Sequence, residues 1–120
     1  MSKTEIATLR KRVEGASSLD GDLLYQTAAA VRRVFPQAPE PSEVTSDSVE
    51  QVLHLVDLCL PNWTIQLTGK AKDPDRHWRC SLRESRGSDD DEVIGLGSGP
   101  VAALALADAL LHVAMQKART

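Results

Sequence analysis

The sequence predicts an α+β domain, a three-stranded antiparallel β-meander packed by helices in the order α-α-α-β-β-β-α. Three observations predict it. Up to Leu60, apolar residues recur every three to four positions, the spacing of one helix face. From Trp63 to Leu96 they alternate with polar residues, the spacing of strands buried on one side. From Val101 onward the helical spacing returns in an alanine- and leucine-rich run. With 120 residues and 42% apolar side chains, the chain is long enough for one core. It divides into an N-terminal amphipathic helix or partly frayed arm over 1–17 and a single sandwich domain over 18–120.

Ile6, Leu9, Val13 and Ala16 form the stripe of a first helix over Thr4–Ala16, with Arg10, Lys11 and Arg12 mostly off it. Gly15 and Ser17-Ser18 break the pattern. Ser18 is the expected N-cap of a second helix, about Leu19 to Val34. Asp20 and Asp22 stand in its first turn, where the helix dipole favours acids. Pro36, Pro39 and Pro41 end it, and 37–46 reads as a polar, extended connector. Asp47, with Glu50 completing a capping box, is the expected start of a third helix over Ser48–Cys59, which Pro61-Asn62 stops.

Trp63, Ile65 and Leu67 then alternate with Thr64, Gln66 and Thr68 as a first strand. Asp73-Pro74-Asp75 is a turn signal. In the second strand Trp78, Cys80 and Leu82 point inward, and His77, Arg79, Ser81 and Arg83 point outward. A polar loop over 87–91 leads to a shorter third strand, Glu92–Leu96. Both tryptophans are in phase with the inner face and read as core anchors. Pro100 suits the first turn of a final helix, Val101–Ala118, whose broad apolar face implies heavy burial. The sheet is expected to be packed by 19–34 and 101–118, with the third helix on a flank or edge.

The stretches LRKRVEGASSLDGDLLYQTA, SDSVEQVLHLVDLCLPNWTIQL and GSGPVAALALADALLHVAM resemble the small phage "ABA sandwich" domain family. The resemblance rests on the Leu19-Asp20 pair, on Leu60-Pro61-Asn62-Trp63 leading into a strand, and on the alanine-rich closing helix. It runs from about Leu9 to Ala118. In the family a Thr-Pro or similar pair opens that helix, and here the pair is Gly99-Pro100. The resemblance implies helix–sheet–helix layering and a phage or prophage origin in bacteria, with no catalytic residues to carry over. The order of helix, three strands and helix is also similar to double-stranded-RNA-binding domains. Those place lysines at the start of the last helix, whereas here no Lys or Arg follows Pro100 until Lys117.

Composition narrows the function classes. Lys and Arg number 14 against 17 Asp and Glu, a net charge of -3, which is not the balance of a nonspecific nucleic-acid binder. Two cysteines, Cys59 and Cys80, form no disulfide framework and read as reduced, buried small hydrophobes of a cytoplasmic protein. No apolar run of secretory type follows Met1, and Asp108 and His112 interrupt the run from Val101 to Met115, so no membrane association is expected.

Chemical motifs are weak. Gly95, Gly97 and Gly99 alternate ahead of a helix but match no phosphate-binding loop, and read as a turn with unusual backbone angles. Asp89-Asp90-Asp91-Glu92 reads as a solvated acidic loop. With Arg76, Arg79, Arg83 and Arg86 it makes a mixed-charge surface. His54, His77 and His112 sit on different elements, without zinc-ligand spacing, so no metal and no cofactor is expected. No nucleophile elbow occurs, and no catalytic residue is assigned. The binding surface predicted is the outer face of the middle strand, His77, Arg79, Ser81 and Arg83. The expected function is that of a non-enzymatic, phage- or prophage-derived accessory protein binding a host or phage protein, or itself as a homodimer. The alternative is a nucleic-acid-binding module on the dsRBD-like frame.

Overall fold

The structure is a computed structural model describing residues 3–44, 48–69, 77–84 and 93–118. Four helices, one 3₁₀ turn and three strands succeed one another in the described residues. They are α1 (Lys3–Gly15), α2 (Gly21–Val34), the turn Pro41–Glu43, α3 (Val49–Cys59), β1 (Thr64–Thr68), β2 (Trp78–Arg83), β3 (Ile94–Gly99) and α4 (Ala102–Lys117). The strands form an antiparallel sheet in the order β1-β2-β3. Ile65 lies opposite Leu82 and Leu67 opposite Cys80, while Cys80 lies opposite Gly97 and Leu82 opposite Gly95. This is the α+β meander that the change of period predicts.

The layering differs from expectation. Only α4 lies directly across β2 and β3; α1, α2 and α3 pack around the remaining sides of α4. Every residue from Ala103 to Leu111 is therefore buried. The physical reason is the composition of α4, which is apolar on every side but that of Asp108, His112 and Gln116, as a helix enclosed by its neighbours must be. Helix α2 packs on α4, not on the sheet, and the described residues lay no helix over the sheet's other face. The helix–sheet–helix layering implied by the phage resemblance is thus replaced by sheet, α4, then helices. Helix α1 belongs to the same core, since Ile6, Leu9 and Val13 are buried in it.

Local starts and stops shift for identifiable reasons. The N-cap of α2 is Asp20, not Ser18. Its carboxylate accepts from the Leu23 N–H at 2.8 Å, a charged acceptor at the positive end of the helix. Leu19 precedes the cap and is buried, and Leu24 is buried four residues after it, the two positions of a hydrophobic staple. The N-cap of α3 is Ser48, whose hydroxyl accepts from the Gln51 N–H at 3.2 Å; Asp47 lies outside the described residues. The connector after α2 is folded back, not extended. Phe35 and Ala38 are buried, and Arg32 donates to the Ala38 carbonyl at 2.6 Å and pairs with Glu40 at 2.8 Å. Asn62 turns the chain from α3 into β1 with a φ of 69°, a left-handed conformation that asparagine tolerates.

The third strand begins and ends later than expected, and it takes in all three alternating glycines. None has positive φ. They face α4, and a Cβ on Gly97 would lie 2.9 Å from the Ala109 Cα, closer still to the Ala109 nitrogen and the Ala105 carbonyl. A Cβ on Gly95 would meet the Ala109 carbonyl at 2.7 Å. The glycines allow close backbone approach between strand and helix, not an unusual turn. Trp63 stands just ahead of β1 rather than in it. Both tryptophans are half-buried against the core, and the Lys117 ammonium lies 5.8 Å from the centre of the Trp63 ring.

Candidate functional site

Three side chains of α4 spaced by four residues, Asp108, His112 and Gln116, share the helix face that looks onto the outer edge of β3. There they take the place of a neighbouring strand. Asp108 accepts from the Ser98 N–H at 3.0 Å. His112 Nδ1 accepts from the Leu96 N–H at 2.9 Å, and Gln116 Nε2 donates to the Ile94 carbonyl at 2.8 Å. Arg10, from α1, completes the row. Its Nη2 donates to the Leu96 carbonyl at 2.8 Å and its Nε to Asp108 at 2.7 Å. Asp108 is only 1% exposed, so this carboxylate is held by two partners inside the protein.

The Arg10–Asp108 pair fixes one wall of a cleft of about 390 Å³ between the end of α1 and the outer face of the sheet. Glu14 stands on the same wall, 3.6 Å from the Arg10 Nε. Gln66, Thr68, Arg79 and Ser81 line the opposite side, and Leu96 and Ser98 rise from β3. Leu96 is 54% exposed, an apolar side chain among hydroxyl, amide and guanidinium groups. Arg79 is exposed, and its side chain makes no ion pair or hydrogen bond with any described residue. Arg10 is neutralised by Asp108, so among the described residues Arg79 is the cleft cation that can take a new partner. Its planar fork suits a carboxylate or phosphate.

Of the surface predicted from sequence, Arg79 and Ser81 enter this cleft together. Arg83 shares the outer face but stands at the far end of β2, and His77 precedes the strand; both are exposed and neither lines the cleft. The sequence reading missed Arg10, Glu14, Leu96 and Asp108. A lone acid within an alanine–leucine helix, followed at four-residue steps by His112 and Gln116, was the available signal.

The remaining reactive groups are quiet. Burial pushes the Cys59 thiol up to about 12. Burial, aided by Asp108, pushes Cys80 up to about 11, so neither is a thiolate at neutral pH. Burial first, and then the Arg10 guanidinium, hold His112 below the usual imidazole value. Among the described residues no three metal-ligating side chains come together, and the acidic loop 89–92 lies outside them, as do Arg76 and Arg86. No described helix is long and apolar enough to cross a membrane. In comparisons with protein-family models, curated proteins and solved structures, none matches this chain.

Proposed function

We propose that this chain is a non-enzymatic binding module that captures a partner protein on the outer face of its sheet. One observation carries the reading: Arg79, whose side chain has no partner among the described residues, and the half-exposed Leu96 stand in one cleft whose far wall is held by a partly buried ion pair. An acidic side chain of the partner meets the Arg79 guanidinium, and an apolar neighbour packs on Leu96. Arginine is among the side chains enriched in protein–protein hot spots. Because the packing motifs resemble phage domains, the partner is a phage protein or a host protein that a phage engages.

Arg79→Glu and Leu96→Ser each leave the core untouched, as both side chains are exposed. Pull-downs from host lysate with either variant should lose bands that the wild-type chain retains; identical bands for all three would sink the reading. Two arginines on one strand face, Arg79 and Arg83, favour a second reading, capture of nucleic acid. Filter binding at two salt concentrations separates the readings, because a protein that neutralises several phosphates loses affinity steeply as salt rises.

A further inference from the structure

The two edges of the sheet are treated unequally. The edge of β3 is closed by Arg10, Asp108, His112 and Gln116. Among the described residues the edge of β1 has no such cover. The backbone groups of β3 that meet those side chains belong to Ile94, Leu96 and Ser98, so its glycines carry the ladder to Trp78, Cys80 and Leu82. Alternation along β2 then directs Arg79, Ser81 and Arg83 to Thr68, Gln66 and Thr64. Ile65 and Leu67 are left with their N–H and C=O groups aimed outward, and neither bonds elsewhere among the described residues. Edge strands are ordinarily blunted by charge, proline or a bulge. The β1 sequence, Thr-Ile-Gln-Leu-Thr, carries no charge and no proline.

We infer that β1 pairs antiparallel with β1 of a second copy, about a two-fold axis through Gln66, to make one six-stranded sheet. The occupant is a second copy because the strand is its own chemical complement. Reversed, Thr-Ile-Gln-Leu-Thr sets Thr64 against Thr68, Ile65 against Leu67 and Gln66 against Gln66, like against like at every position. The pairs with outward backbone groups, Ile65 with the partner's Leu67 and the reverse, are those that must exchange hydrogen bonds in this register. Ile65 and Leu67 are half-exposed on the inner face, so the same pairing covers apolar surface that one copy leaves wet. The axis also sets the two outer clefts side by side, since Gln66 and Thr68 line both the cleft and the seam. The inference does not rest on what the cleft binds.

Light scattering of the full chain should give twice 13.0 kDa. Gln66 is exposed on the outer face, so its replacement leaves the core intact. Gln66→Lys and Gln66→Glu each put like charges opposite one another at the axis, where Cα atoms of a non-hydrogen-bonded pair approach to about 4.5 Å. Each variant alone should run at 13.0 kDa, and an equimolar mixture should return to the doubled mass. A wild-type chain of single mass at the highest concentration overturns the inference and leaves the edge to a strand of another protein. So does a dimer that both charge variants leave undisturbed, or one that the mixture fails to restore.

Discussion

At the scale of single residues, the alternation of β2 was enough to find Arg79 and Ser81, because a strand's parity assigns each side chain to a face without knowledge of the rest of the fold. It was not enough to find their setting. Arg10 and Asp108 are 98 positions apart, and only the packing of α1 on α4 joins them. His112 shows the consequence for pH. A backbone N–H can donate to Nδ1 only while that nitrogen carries no proton, so the bond to Leu96 requires the neutral ring and is lost when the ring is protonated. Burial, and after it Arg10, already hold the folded-state pKa below the ordinary 6.5. Between the lowered value and 6.5 the unfolded chain binds the extra proton, so this contribution to stability is complete above 6.5 and is lost as the pH falls below it. The urea midpoint of the wild-type chain should therefore drop more, on moving from above to below pH 6.5, than that of His112→Gln, whose amide oxygen can still accept from Leu96. Equal drops would show that the imidazole does not titrate in this role.

At the scale of elements, hydrophobic period gave the order of helices and strands because each element's pattern is local, and it failed where the reason for a residue lies in a neighbour. The three glycines of β3 are the clearest case. Read along the chain they precede a helix and look like a turn; in the fold they are the inner face of a strand on which α4 rests backbone to backbone. The alanines of α4 are the other half of the same contact, Ala105 and Ala109 standing where a larger side chain would lift the helix away. Gly97→Ala should destabilise by about 3 kcal/mol in urea unfolding, since the atoms it would strike are backbone and have no rotamer by which to yield. Gly21→Ala, with nothing within 4 Å, serves as the control and should be neutral or stabilising by roughly 0.5–1 kcal/mol. If the two changes cost the same, the close approach does not limit how this sheet and helix pack.

At the scale of the whole molecule, the described residues leave the sheet with one covered face, one open face, one closed edge and one free edge, and in the inferred dimer the closed edge sets where assembly stops. A chain with a single free edge can join one other copy about a two-fold axis and then presents only closed edges. A chain with two free edges has no such limit, and successive pairings run on as an open stack. The row of α4 side chains is therefore more than a local set of hydrogen bonds. His112→Ala with Gln116→Ala would strip two of its members, freeing the Leu96 N–H and the Ile94 carbonyl for another strand. Asp108 and Arg10 remain to hold α1, α4 and β3 together, so the helical core keeps its circular dichroism. Light scattering of this double variant should show masses that grow with concentration past that of two chains, whereas the wild-type mass levels off. Adding Gln66→Lys to the double variant charges the remaining β1 edge, and the growth should stop. Should the double variant level off where the wild type does, the β3 edge is protected by something other than these side chains.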